Sequence, residues 1–438
     1  MYTLAFQLSN HLIMKRRNFI KRTAFGASAA LVTGMSSCVS NETEIQEVTI
    51  FDSLKSMTND VVPITIEERK SRIKKAQKLM QENGLQAILL DAGTSLKYFT
   101  GLSWWPSERP MIAMIPASGA VRYICPAFEK PRLLKKITIG KEVLPWEEDE
   151  SPFKQIGVAL KAAGISKGNI GLEERFRYFI LNGLQKDASN YTYVSADSVT
   201  IPCRLIKSPT EIALMQKATD ITIEAIKIGL ASLKVGSSPA DFSYAVAKAH
   251  SKLGANHSFA LANFGPDSAF PHGSGQPQIL KKGDIVLVDC GCTVEGYNSD
   301  MSRTIVFGAK PTSRQQEIWD LEQKSQAAGF KAAQIGNELQ QVDVDARQVL
   351  LDAGFGPGYK LPGLPHRTGH GIGMDGHEWG NALKGNIRKL EPGMCFSIEP
   401  NISIVGEFGV RHEDCVYMTA EGPKWFSQPS PSIEQPFV

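Results

Sequence analysis

The sequence predicts two domains of α/β and α+β class, the second built twice on one element order. Three observations carry that expectation. The chain has 438 residues, and at about 100–200 residues per domain this calls for two or three folding units. Short apolar runs alternate with helical periodicity from Ile64 to Arg204. After Lys207 the order helix, helix, strands occurs twice.

In the first domain, Glu67 to Glu82 has helical spacing and closes at Gly84. Ala87-Ile88-Leu89-Leu90 is a buried strand by its apolar run, and Met111 to Ile115 and Val121 to Ile124 are two more, joined at Ser118-Gly119. Helical patterns follow near 152–163 and 176–188.

The second domain opens at Lys207-Ser208-Pro209-Thr210-Glu211. Ser208 is an N-cap, Pro209 stands at the first helical position and Glu211 completes a capping box. Ile212, Met215, Ile221, Ala225 and Ile226 fall near one helical face. A second helix starts at Ser238-Pro239 with Asp241 and ends at Gly254. Strands follow at 285–292 and 298–307, then helices at 313–335 and 338–353, then strands near 394–399 and 410–418. The two halves share no residue-level repeat, only their order, which places a natural site between them. The resulting domains are 63–205 and 206–430.

Composition narrows the function. Hydrophobic residues make up 42% and charged residues 21%, an ordinary globular balance that permits a sizeable core. The net charge of +3 and the lack of a basic stripe with interleaved aromatics argue against nucleic acid and for a small or peptide substrate. Seven cysteines, an odd number without any CxxC, do not form a disulfide framework in so long a chain. Cys290-Gly-Cys292 is best taken as small apolar strand residues rather than a soft-metal site.

The amino terminus has an export pattern. Arg16-Arg17 precede an apolar run from Ala24 to Met35, about a dozen residues and short of the roughly 20 that span a bilayer. Gly34-Met35-Ser36-Ser37-Cys38 then resembles a lipobox with Cys38 as the lipidated residue. The expectation is a twin-arginine signal over 1–38, a polar tether over 39–62, and a periplasmic protein, with a lipid anchor at Cys38 if the lipobox is used.

Each half of the second domain brings carboxylates on paired strands. Ile285-Val286-Leu287-Val288 runs into Asp289, and a turn at Glu295-Gly296 returns the chain through Asp300. Alternation puts Asp300, Ser302 and Thr304 on one face, so a hairpin sets Asp289 beside Asp300. Met394 to Ile398 leads into Glu399, and Glu413 lies in Val410-Arg411-His412-Glu413-Asp414. An apolar strand ending in a carboxylate is costly unless the charge is paired or metal-bound. Carboxylates bridge divalent ions, and an imidazole adds a neutral nitrogen donor. His366-Arg367-Thr368-Gly369-His370-Gly371-Ile372-Gly373, with His377 beyond, concentrates three of the eight histidines, and the glycines beside His370 allow close backbone approach to a ligand. His272 is a further candidate.

Asp289, Asp300, His370, Glu399 and Glu413, with Val288-Asp289-Cys290-Gly291, Gly369-His370-Gly371-Ile372-Gly373, Ser397-Ile398-Glu399-Pro400 and Arg411-His412-Glu413-Asp414, resemble the five-ligand pattern of the methionine aminopeptidase, prolidase and aminopeptidase P superfamily. His272, His366 and His377 resemble its Xaa-Pro aminopeptidase and prolidase branch. The resemblance implies a creatinase-like amino-terminal domain and a pita-bread catalytic domain. It implies two divalent metal ions, manganese first and cobalt, zinc or magnesium otherwise, that activate one water. Asp289, Asp300, His370, Glu399 and Glu413 would be the ligands, with Asp300 and Glu413 bridging. Glu399 would shuttle the proton, His272 and His377 would meet substrate and oxyanion, His366 would aid placement, and Arg411 would orient Glu413 or a substrate carboxylate. It further implies a peptide substrate with proline second and a homodimer, with the amino-terminal domain that carries Trp104, Trp105 and Arg109 helping to close a site; core or interface packing is the other reading of the two tryptophans. Two rival readings remain: a non-peptide C–N hydrolase or lyase on the same fold, and a metal-binding peptide-recognition protein without activity.

Overall fold

A computed structural model of the chain describes residues 50–438. The twin-arginine motif, the apolar run and Cys38 lie outside the described residues. Among the described residues no helix is long and apolar enough to cross a membrane.

The first domain is a six-stranded mixed sheet flanked by helices. Its helices are α1 (Ile66–Glu82), α2 (Thr94–Thr100), α3 (Lys130–Leu134), α4 (Pro152–Ala162), α5 (Tyr178–Asp187) and α6 (Asp197–Leu205). Its strands are β1 (Leu85–Leu90), β2 (Ile112–Pro116), β3 (Arg122–Pro126), β4 (Glu142–Trp146), β5 (Gly168–Leu172) and β6 (Tyr191–Ser195), in the order β4-β3-β2-β1-β5-β6. Thr65 caps α1 by accepting from the Glu68 amide. Apolar side chains on both faces of the sheet pack under helices, which explains the near-continuous apolar runs of β1 and β2.

The second domain carries α7 (Pro209–Ser232), α8 (Pro239–Leu253), β7 (Asn256–Phe264), β8 (Ile285–Val294), β9 (Tyr297–Asn298) and β10 (Met301–Val306) in its first half. Its second half carries α9 (Ser313–Ala332), α10 (Leu339–Asp352), β11 (Gly369–Gly371), β12 (Glu378–Ala382), β13 (Cys395–Ile398), β14 (Asn401–Ile404), β15 (Phe408–Arg411), β16 (Asp414–Thr419) and β17 (Gly422–Trp425). Capping boxes start α7 and α8 as their sequences predict, at Ser208/Glu211 and Ser238/Asp241. Gly254 closes α8 in the left-handed region. One sheet has the order β10-β8-β7 with β9 paired to β8, a second has the order β12-β11-β13-β16-β17, and β14 and β15 form a two-stranded third. The order helix, helix, strands is thus made twice. The expected strand near 410–418 is two strands, β15 and β16, broken at His412-Glu413.

The polar tether expected over 39–62 is not a free linker in its described part. Phe51 is only 3% exposed and joins the core under α7 and α8, with Leu54, Met57 and Val61 packed beside it. The Met57 amide donates to the Leu253 carbonyl at 2.9 Å, and Lys217 pairs with Asp60 at 3.0 Å. Four apolar side chains spaced among the polar ones are enough to hold this segment down.

Candidate metal centre

The β8–β10 hairpin builds the first part of the site. Glu295 (φ 52°) and Gly296 (φ 88°) form its two-residue turn, both left-handed, between the paired Val294 and Tyr297. This fixes the register in which Asp289 lies opposite Ser302. Asp300, two residues before Ser302, therefore takes the diagonal on the same face. In the other half Ile398 pairs with Asp414, so Glu399 and Glu413 face each other one position beyond the ladder. An antiparallel bridge between Ser302 and Glu413 stitches the two sheets together at this point.

The side chains converge. Ligand atoms of Asp289, Asp300 and Glu413 lie within 4.8 Å of one another, as do those of His370, Glu399 and Glu413. A third such group joins Asp300, His370 and His377. Glu413 belongs to the first two sets and Asp300 to the first and third, the arrangement expected of bridging carboxylates. The His370 Nδ1 faces the Gly371 carbonyl at 3.1 Å, so the N–H sits there and the Nε2 lone pair points at Glu399 and Asp300, 3.4 and 3.7 Å away. Burial holds His370 down to about 4, a neutral imidazole fit to ligate.

The donor set fits a pair of divalent cations. Burial and the neighbouring Asp289 and Glu399 carboxylates push Asp300 well above the usual carboxylate range. Burial and Asp300, Glu399 and Asp289 do the same to Glu413. Asp289 Oδ1 is buried and has no hydrogen-bond partner among the described residues. Among the described residues the four crowded carboxylates share one guanidinium, that of Arg411, which binds Asp289 Oδ2 at 2.6 Å and the Ser302 hydroxyl at 2.8 Å. Two divalent ions would supply the missing positive charge and a partner for the orphaned oxygen.

Neighbouring groups hold the ligands. Ser302 donates to Glu413 Oε2 at 2.6 Å, and Ser397 accepts from the His370 amide at 2.9 Å and donates to Glu399 at 3.3 Å. Asp343 accepts from the Thr368 amide and hydroxyl, while Arg347 donates to the Gly358, Leu364 and His366 carbonyls, which fixes the loop before His370. The glycines beside His370 serve the neighbouring strands rather than a ligand. A Cβ on Gly369 would stand 1.9 Å from the Ser397 carbonyl oxygen, and one on Gly371 would stand 1.7 Å from that of Trp379.

The remaining predicted residues line one cavity of about 910 Å3 that has the acid cluster in its wall. His272 is at its exposed rim. His366 directs Nδ1 to the Arg367 carbonyl at 2.8 Å and leaves a buried Nε2 unpartnered among the described residues. His377 lies 3.9 Å from His370, ring centre to ring centre, and burial with His370 and Arg367 nearby holds it down to about 4. Arg411 lies beneath Asp289, and Glu413 Oε2 is 3.8 Å from it, so its guanidinium is committed to the cluster and not to a substrate carboxylate. Trp104, Trp105 and Arg109 do not line this cavity. Trp105 is 83% exposed and Arg109 pairs with Glu148.

The sequence reading missed Arg367, Tyr359 and strand β7. Arg367 reaches into the cavity and donates to His377 Nδ1 at 3.1 Å, and its place next to His366 was the available signal. β7 supplies Ser258, Phe259 and Leu261 to the wall. Cys290 and Cys292 are buried strand residues as expected, and all six cysteines among the described residues are free and buried.

A twice-repeated helix-helix-sheet unit with four carboxylates and one imidazole between its halves defines a two-metal hydrolase class. Residues 213–420 match the model of metallopeptidase family M24, and residues 72–206 match the creatinase/prolidase N-terminal domain. An Xaa-Pro dipeptidase of Lactobacillus delbrueckii is 30% identical over 370 residues, covering 82% of this chain and 97% of that protein. A prolidase of Thermococcus sibiricus superposes with a TM-score of 0.75 at 27% identity, covering 82% of this chain and 97% of its own. An X-Pro aminopeptidase of Thermotoga maritima has the same fold at 21% identity, with a TM-score of 0.69 and coverage of 80% and 97%. The chain belongs to metallopeptidase family M24, with a creatinase-type amino-terminal domain and a pita-bread catalytic domain.

Proposed function

We propose that this chain hydrolyses the Xaa–Pro bond of short peptides, with the dipeptide as its smallest substrate. The observation that carries the reading is the convergence of Asp289, Asp300, His370, Glu399 and Glu413 in the wall of one cavity. The dipeptidase and prolidase names among its relatives support it.

Two divalent cations held by these five side chains, manganese before cobalt, zinc or magnesium, would supply an activated water and polarise the carbonyl before proline. The protein's own groups do the rest. Glu399, beside His370, takes the proton of the attacking water and passes it to the departing proline nitrogen. His377 donates to the developing oxyanion, His272 closes on the substrate from the rim, and the unpartnered Nε2 of His366 places a substrate polar group. Arg411 fixes the Asp289 carboxylate. Arg367, without an acidic partner among the described residues, takes the free carboxylate of a dipeptide. Phe270, Pro271 and Leu361 offer an apolar wall to the proline ring, whose imide nitrogen needs no acceptor.

The test is chelation followed by single-metal add-back, assayed on Gly-Pro, Ala-Pro and an Xaa-Pro tripeptide, with a creatine-like C–N compound beside them. Recovery on the peptides alone supports the reading. A metal-loaded protein inert on every Xaa-Pro peptide refutes it.

A further inference from the structure

Next to the main cavity lies a second hollow of about 460 Å3, between the two domains. The two share Asn298 and Gly376. Asn298 is two residues before Asp300, and Gly376 adjoins His377. The two hollows therefore adjoin along residues that lie next to Asp300 and His377 in the chain. Thr94 and Lys97 of α2, Ser103, Trp104 and Asp375 form much of its wall.

The charges in this wall are unequal. Asp375 is already satisfied: it accepts from Thr94 at 2.6 Å and pairs with Arg204 at 2.8 Å and Arg175 at 3.1 Å. Lys97 is the one cation of the lining, and it has no hydrogen bond or ion pair among the described residues. Its ammonium rests against the Glu295-Gly296 turn, where a Cβ on Gly296 would stand 2.3 Å from Nζ. Burial lowers its pKa, Glu295 opposes that and Arg69 adds to it. A half-buried ammonium with the Glu295 carboxylate near but no ion pair within bonding distance among the described residues is a cost that a bound anion would reduce. Trp104 sits beside it with Arg132 already over one side of the ring, 4.6 Å from its centre.

We propose that the hollow is a subsite for the carboxy-terminal end of peptides longer than two residues, with Lys97 pairing their carboxylate. This rests on the reading that the main cavity cuts Xaa-Pro bonds. At about 3.3–3.6 Å per residue, an extended peptide of three or four residues is long enough to pass Asn298, which lines both hollows and is held by the Gly373 carbonyl. Arg367 then serves the dipeptide and Lys97 the longer chain, so one catalytic centre takes both lengths.

The experiment compares Ala-Pro-Ala as free acid with its carboxyamide, in the manganese-loaded full chain. The readout is the acid-to-amide ratio of kcat/KM, in the native protein and in Lys97→Met and Lys97→Arg. An acid preference of roughly tenfold is expected in the native protein, the scale of one hydrogen bond to a charged group. It should collapse in Lys97→Met and persist in Lys97→Arg. Ala-Pro-Glu amide separates a side-chain carboxylate from the terminal one, and the proposal expects it to behave as the neutral amide. No acid preference in the native protein overturns the proposal, and so does a preference that survives Lys97→Met. Tripeptides that are neither cut nor bound, while Ala-Pro is cut, overturn it and leave the proposed function standing. If Lys97→Met does not fold, the native acid-to-amide comparison decides alone. If no Xaa-Pro peptide is cut, calorimetric binding of the acid and amide tripeptides to the metal-loaded chain tests Lys97 separately.

Discussion

Two buried glutamates in this molecule have opposite fates. Glu413 sits among acids, and its own burial together with Asp300, Glu399 and Asp289 pushes it far above the usual carboxylate range. Glu378, at the start of β12, is buried just as deeply, and burial alone would raise it too. There Lys207 and Arg204 overcome the burial and bring it down to about 2. Lys207 reaches Oε2 at 3.1 Å, Arg204 holds Oε1, and the Asp375 amide donates to Oε1 at 3.1 Å. The Glu378 cluster is electrostatically closed and binds the end of the first domain to the loop that carries His377. The Glu413 cluster is open, with its negative charge left for cations from outside. Burial thus does not distinguish a structural ion pair from a metal centre; the sign of the neighbours does.

Four changes would break or sharpen this contrast. Asp289→Asn or Glu413→Gln should lower turnover by roughly a thousandfold or more, the scale of a lost transition-state contact, and should lower bound divalent metal measured by elemental analysis. Full activity in either variant would remove the centre proposed here. Lys207→Met leaves Glu378 with half its counter-charge and should cost about 3–5 kcal/mol in denaturant unfolding, with metal content per folded chain unchanged. His377→Ala should reduce kcat by roughly a hundredfold while the metal stays bound; loss of the metal instead would make His377 a ligand.

The fourth and smallest effect is in pH. The Glu378 carboxyl is depressed in the folded protein, so its contribution is fully present above the unfolded value near 4.5 and is lost as pH falls towards about 2. Thermal unfolding should therefore lose stability between about pH 4.5 and 2 in the native chain, and less steeply in Glu378→Gln. Equal slopes would mean that Glu378 is not paired as described.

Much of this was legible in the sequence because it rests on local rules. Ser208, Pro209 and Glu211 announce a helix start whatever lies around them. Glu295-Gly296 sets the hairpin, and with period-two alternation that turn is sufficient to bring Asp289 and Asp300 to one face. Apolar strands that end in Asp289 and Glu399 signal an ion before any fold is known. The tether expected before residue 63 misled because four apolar side chains in a polar run have no period; only a waiting surface on α7 and α8 shows what they do. Arg411 misled in part for a similar reason, since its partner, Asp289, lies 122 positions away.

By itself the sequence determined the element order, the caps and the hairpin register, because each depends on neighbours within a few residues, and it singled out five side chains as candidate metal ligands by their chemical type and their resemblance to a known pattern. Tertiary structure alone decided that Glu413 meets Ser302 across two sheets, that Arg411 is spent on Asp289 while Arg367 meets His377 and no acid among the described residues, and that a hollow with Lys97 in its wall adjoins the main cavity. Those outcomes depend on which distant charges meet in a buried space, where a single neighbour reverses the electrostatic balance, and no local pattern encodes that meeting.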